Sequence, residues 1–137
     1  PDDLPERLIG SNAIYYIQQK LRRWSKKGLT AFAPEILNEY LQNACTPEAI
    51  HAACEDYRAA ASIDLVHDRA DRKEKIRCPL LLIWAKNGFI GKYFNVPKIW
   101  QDLATNVEGK SIDCGHFIPE EEPEETYKIL YDWLIAN

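Results

Sequence analysis

The apolar positions change their period half-way along the chain. Through residues 1–75 they recur every three or four residues, the spacing that lines one face of a helix. Ile14, Ile17, Leu21 and Trp24 form one such stripe, with Ser11 as a capping residue ahead of it and Gly28 as its stop. Pro34 sits at a first-turn position and opens a short helix carrying Ile36, Leu37, Tyr40 and Leu41. Thr46-Pro47-Glu48 is a further cap and helix start. The helix behind it runs through Ile50, Ala53, Cys54, Tyr57 and Ala61 towards Leu65, and its alanines permit close packing against a neighbour.

From residue 76 the pattern is different. Leu80-Leu81-Leu82-Ile83-Trp84 is apolar without interruption, which marks a parallel strand covered on both faces. Gly88 and Gly91 break the run into a loop. A helix over residues 96–105 holds Ile99, Trp100 and Leu103, and Lys110-Ser111-Ile112-Asp113 reads as a short strand. Pro123 then opens a last helix with Tyr127, Leu130, Tyr131 and Leu134 on its inner side. The chain therefore divides into a helical segment, 1–75, and a strand–helix–strand–helix unit, 76–137, of the α/β class. A two-stranded sheet is marginal by itself and shows an unpaired edge to water. The pattern calls for further strands, from an N-terminal segment or from a partner chain.

Bulk properties narrow the classes. The chain has 137 residues, 46% hydrophobic and 28% charged, the balance of a folded domain. A net charge of −4 with no basic block argues against nucleic acid, which is bound through clustered Lys and Arg. The runs Lys20-Leu21-Arg22-Arg23 and Lys26-Lys27 are short and read as a solvated helix face. No stretch approaches the roughly 20 apolar residues of a membrane span, and no signal peptide opens the chain. Cys45, Cys54, Cys78 and Cys114 are scattered, as reduced thiols of a cytoplasmic protein would be. His51 and Cys54 share a helical face, but two ligands do not make a metal site. Neither a metal nor a cofactor is expected. There is no methionine and the first residue is Pro1, which fits a fragment or a processed chain.

The chemistry concentrates in Cys114-Gly115-His116-Phe117-Ile118-Pro119. His116 follows a strand end and a glycine, so its ring can project from the carboxyl edge of the sheet, where open α/β folds place ligands. Imidazole is the natural base near neutral pH. An exposed loop histidine would show the same spacing, and spacing alone leaves both readings open. Asp113 precedes the turn and is expected to cap or solvate it. Glu120-Glu121-Glu122 with Glu124-Glu125 lies at a helix start, where carboxylates complement the helix dipole.

Two blocks carry a family resemblance: Cys78-Pro79-Leu80-Leu81-Leu82-Ile83-Trp84, and Gly115-His116-Phe117-Ile118-Pro119-Glu120-Glu121 with Pro123-Glu124-Glu125. In this order and at this distance they resemble the C-terminal end of an α/β-hydrolase. Cys54-Glu55-Asp56-Tyr57-Arg58-Ala59 with Asp64-Leu65-Val66-His67-Asp68 is similar to the cap helix of the fluoroacetate/haloacetate dehalogenases. Leu21-Arg22-Arg23-Trp24 and Ala31-Phe32-Ala33-Pro34 resemble the same cap. The likeness runs from about Leu4 to Leu134 and covers roughly the C-terminal half of such an enzyme.

The resemblance implies a hydrolase in which an aspartate displaces halide from carbon and a histidine activates water against the ester that results. His116 matches that base. Tyr57 matches a cap tyrosine whose hydroxyl helps to hold the departing halide, and Trp24 matches a cap tryptophan facing the pocket. Core packing is the competing reading for both. The nucleophile, on an elbow of the G-x-[SD]-x-G kind, and the arginines that grip the substrate carboxylate belong to the N-terminal half. The loop after the first strand reads Ala85-Lys86-Asn87-Gly88, and Asn87 cannot serve as the acid partner; in the dehalogenases that acid lies on an earlier strand. Val66-His67-Asp68-Arg69-Ala70 imitates the family's nucleophile elbow but lacks its glycines and its strand, so Asp68 is not expected to act in catalysis.

The expectation is thus a haloacetate dehalogenase-like hydrolase, inactive without its missing N-terminal half, acting on a small haloacetate-like substrate. Related enzymes suggest a homodimer by analogy alone. An epoxide or ester hydrolase of the same fold is the nearest alternative. A non-catalytic piece that binds a partner by strand addition along the open edge is the other.

Overall fold

The computed structural model describes residues 3–137. Helices fill the first part: α1 (Leu4–Gly10), α2 (Ala13–Trp24), α3 (Pro34–Ala44), α4 (Pro47–Ala60) and α5 (Ile63–Asp71), with a 3-10 turn at Gly28–Ala31. Then come β1 (Leu80–Ala85), α6 (Phe89–Tyr93), α7 (Val96–Leu103), β2 (Val107–Ile112), α8 (Ile118–Glu121) and α9 (Pro123–Ala136). No helix among the described residues is long and apolar enough to cross a membrane.

Local chemistry explains most boundaries, and corrects some expected ones. Thr46 caps α4, its Oγ1 accepting the Ala49 N–H at 3.2 Å, and Asn95 caps α7 in the same way through the Lys98 N–H. Ser11 does not cap α2; its hydroxyl donates back to the Leu8 carbonyl and closes α1, while Asn12 occupies the cap position. Helix α2 stops at Trp24 and not at Gly28, because Ser25 turns to an extended conformation. Gly28 serves one turn later, at φ 61°, a left-handed conformation that a Cβ disfavours. The alanine-rich helix ends at Ala60, before Leu65, and Ser62 donates to the Arg58 carbonyl at the break.

β1 and β2 pair in parallel, Leu80 opposite Val107 through Ala85 opposite Ile112. An added bridge between Ile76 and Ala104 draws the entry to β1 against the end of α7. Only Leu82 of β1 is buried; its other five residues are half-buried. The apolar run thus has the composition of a central strand without full cover on both faces among the described residues. The last helix departs from expectation in the same way. Tyr127, Leu130, Tyr131 and Leu134, expected to face inwards, are 41–67% exposed, and Thr126 is the buried residue of α9. Phe89, Tyr93 and Ile135 are also open to solvent. The tightest packing lies instead at the end of β2, where Ile112 is fully buried and Cys114 is 1% exposed.

Candidate active site

The carboxyl ends of both strands are laced together by main chain. The Lys86 N–H donates to the Ile112 carbonyl at 2.8 Å, and the Asn87 N–H donates to that of Cys114 at 3.3 Å. The Cys114 side chain packs inwards, and burial pushes its thiol up to about 11, with the Glu121 carboxylate adding to the effect. Gly115 beside it is buried as well, and the next residue, His116, stands exposed at the sheet's carboxyl edge.

A buried carboxylate holds the turn. Glu121 is 2% exposed and accepts three main-chain hydrogen bonds. Its Oε2 takes the Lys26 N–H at 2.8 Å and the Gly115 N–H at 3.0 Å; its Oε1 takes the Phe117 N–H at 3.2 Å. The His116 N–H in turn donates to the Trp24 carbonyl at 2.8 Å. The end of α2 and the histidine turn, some ninety residues apart in sequence, are therefore bonded directly. Gly115 allows this approach: a Cβ there would lie 2.5 Å from the Trp24 carbonyl oxygen, 2.7 Å from Glu121 Oε1 and closer still to the Lys26 nitrogen.

The two lysines expected on a solvated face act here as well. Lys26 Nζ reaches Asp113 Oδ1 at 2.9 Å, and Lys27 Nζ donates to the Glu121 carbonyl at 2.5 Å and pairs with Glu122 at 2.7 Å. The Lys26 ammonium, helped by a hydrogen bond from Asn87, holds the Asp113 carboxyl below its ordinary range. Asp113 thus solvates the turn through Lys26 and Asn87. The acidic run is likewise more than a dipole match, since Glu121 is internal to the structure and Glu120 accepts the Tyr40 hydroxyl.

His116 and Trp24 come together: their rings meet edge to face with centroids 5.0 Å apart. Both line an open groove of about 1020 Å³, walled also by Leu82, Trp84, Asn87 and Ile118. Phe117 packs the other way, against Phe32 at 5.2 Å. Tyr57 stands apart from the groove and is 64% exposed on α4. Lys20 links it to the cluster, with its ammonium 4.6 Å from the Trp24 ring and 5.8 Å from that of Tyr57.

A strand-end histidine, a groove at the carboxyl edge and helices packed over that edge make a familiar arrangement, and the comparisons agree. A fluoroacetate dehalogenase from Burkholderia sp. is 32% identical over 98% of this chain and 44% of its own length. A soluble epoxide hydrolase from Corynebacterium sp. (strain C12) is 32% identical over 68% of this chain and 31% of its own. A Nostoc sp PCC 7120 protein assigned as an α/β hydrolase superposes with a TM-score of 0.94 at 51% identity, over 98% of this chain and 46% of that one. This chain belongs to the α/β-hydrolases. It carries the C-terminal part of their fold and spans less than half the length of these relatives. No family model matches it.

Among the described residues, one cluster has metal-ligand character: Glu6, His51 and Glu55. Both carboxylates are already engaged by Arg58, which bonds Glu6 at 2.7 Å and Glu55 at 2.6 Å. Cys54, grouped with His51 in the sequence, is buried and lies outside that cluster. Asp68 lies within helix α5 and not on a strand-to-helix elbow. Glu121 was not legible as a site residue. Its only signal is a glutamate four residues after Phe117, within a run of three.

Proposed function

We propose that this chain supplies the cap and the C-terminal core of a haloacetate dehalogenase-type hydrolase. Residues 1–75 act as the cap segment and residues 76–137 as core. The observation that carries the reading is His116, displayed on the turn after β2 with its ring against Trp24 in the groove. The likeness to the Burkholderia dehalogenase over nearly the whole chain supports the chemistry.

In this reading an aspartate carboxylate from outside the chain attacks the carbon bearing the halogen. The C–O bond forms as the C–halogen bond breaks, and halide leaves with the electron pair. His116 then removes a proton from water. The hydroxide adds to the ester carbonyl, and cleavage of the acyl C–O bond returns the aspartate and releases the hydroxy acid. Tyr57 and Trp24 donate to the halide from the cap side, the phenol and indole each offering one donor from an apolar wall. Tyr57 reaches that position only if the cap closes further over the groove. The chain alone has no hydrolase activity, because the nucleophile lies elsewhere.

The test is halide release from haloacetates by the complete enzyme carrying this chain. His116→Ala is expected to release one halide per active site in a burst and then stall as the ester, while Tyr57→Phe slows the burst itself. A His116→Ala enzyme that turns over like the wild type would sink the assignment, as would halide release by the 137-residue chain alone. The Corynebacterium relative favours one second reading, an epoxide hydrolase using the same ester chemistry. Diol formation from epoxides without halide release from haloacetates would establish it instead.

A further inference from the structure

We infer that Glu121 is a positioning residue that sets the His116 turn and fixes it to the end of α2. Its kinetic consequence rests on His116 being the base proposed above; its structural consequence does not. The argument begins with desolvation. A carboxylate that is 2% exposed is costly unless its oxygens are hydrogen-bonded, and Glu121 meets that demand wholly with backbone N–H groups. Those three donors are not scattered. Gly115 and Phe117 flank His116 on either side, and Lys26 lies two residues beyond Trp24, whose carbonyl accepts the His116 N–H and whose ring touches the imidazole. The one carboxylate therefore defines where the base sits and which aromatic surface it meets.

Geometry says which variant isolates this role. In Glu121→Gln the amide oxygen can replace Oε2 and keep the Lys26 and Gly115 bonds. The NH2 group then faces the Phe117 N–H, donor against donor, on the far side of His116. The side chain keeps its volume, so the core stays filled while one side of the turn is released. Glu121→Ala loses all three hydrogen bonds and is the harsher comparison.

The experiment measures two things in the complete protein. Hydrogen–deuterium exchange at the Lys26, Gly115 and Phe117 amides reads the structural role. Glu121→Gln is expected to accelerate exchange most at Phe117, and Glu121→Ala at all three; unchanged exchange at all three in both variants would overturn the inference. Single-turnover and steady-state halide release read the functional role. Glu121→Gln is expected to keep a full burst of one halide per site and an unchanged kcat/KM, while ester breakdown slows roughly 10- to 100-fold and kcat and KM fall together, the cost of a base displaced by about 1 Å. A burst that shrinks in proportion to kcat would mean lost folded enzyme and would overturn positioning, as would a kcat equal to wild type. If the wild type releases no halide, the proposed chemistry fails, and the exchange data alone decide the role of Glu121.

Discussion

Gly115→Ala puts the contact between helix and histidine turn under direct stress. The glycine's φ is not in the left-handed region, so the substitution strains no backbone preference; it acts only through space. The new methyl would sit 2.5 Å from the Trp24 carbonyl oxygen and 2.7 Å from Glu121 Oε1, distances well inside van der Waals contact. Neither neighbour is the free end of a flexible chain. One is main chain, and the other is a carboxylate tied by three hydrogen bonds. If the turn stays in place, overpacking of this kind costs about 1–3 kcal/mol. If it withdraws, it loses the His116–Trp24 main-chain bond and the Gly115 bond to a carboxylate, about 1 and about 1.5–3 kcal/mol respectively. The two routes together bound the destabilisation at ~1–4 kcal/mol.

At roughly 2–4 °C of melting temperature per kcal/mol for a protein of this size class, Gly115→Ala is expected to melt about 2–16 °C below wild type. Differential scanning calorimetry of the complete protein measures it. Gly10→Ala is the control, since a Cβ there meets nothing within 4 Å. It should leave the melting temperature unchanged or raise it slightly, because alanine loses less backbone entropy than glycine in a helix. A Gly115→Ala protein melting within about 1 °C of wild type would refute the claim that this close approach holds the turn.

The remaining expectations follow from the cysteines and from the Glu6–Arg58 pair. Cys78 is exposed whereas Cys54 and Cys114 are buried, and the Cys114 thiol is pushed up to about 11. Alkylation of the native protein at mildly basic pH should therefore label Cys78 first and Cys114 only on unfolding; early labelling of Cys114 by peptide mapping would contradict the packing at the end of β2. The hydrogen bond from Arg58 holds the Glu6 carboxyl at about 2, below its ordinary 4.5. As pH falls, the unfolded chain takes up this proton first. The pair's contribution is thus complete above about pH 4.5 and lost as pH drops through about 2. Arg58→Gln should lower stability at neutral pH and flatten its decline towards acid; urea midpoints that fall equally steeply in both proteins between about pH 5 and about pH 3 would refute this.

The first strand was legible because a buried parallel strand leaves an uninterrupted apolar run and ends where glycine allows a turn; β2 spans Val107–Ile112 and not the expected 110–113, because Val107-Glu108-Gly109-Lys110-Ser111-Ile112 is mostly polar and leaves no such run. Leu80–Ala85 and the histidine turn after Ile112 fall where that logic puts them. The α/β-hydrolase fold came from the resemblance of those two blocks, in their order, to the C-terminal end of that family. Helix faces were harder. The stripe Tyr127, Leu130, Tyr131 and Leu134 has the right period for burial, but period says only that a face is apolar and not what covers it. The end of α2 was misjudged at Gly28 because Ser25 leaves the helix for a tertiary reason: the next amide, that of Lys26, is bonded to a carboxylate ninety-five positions away. Glu121 was hidden for the same cause. Its partners are backbone amides, which carry no residue identity, and in one dimension it cannot be told from Glu120 or Glu122.

Of the contacts that join the helical segment to the histidine turn, two sets involve charged side chains, and their magnitudes decide which of the two governs it. The lysine pairs, Lys26 with Asp113 and Lys27 with Glu122, have partners that are a third to two-thirds exposed. Pairs of that kind contribute at most about 1 kcal/mol each and weaken with salt. The Glu121 bonds are screened from water and join a charged acceptor to main-chain donors, about 1.5–3 kcal/mol apiece. Neutralising Lys27 should then loosen little, while replacing Glu121 should release the turn. It follows that Trp24 and His116 move as one piece. A shift of α2 large enough to carry Trp24 away from the groove must either take the base with it or break Glu121's hold on the Lys26 amide, so the shape of the groove and the placement of the base are set by the same carboxylate.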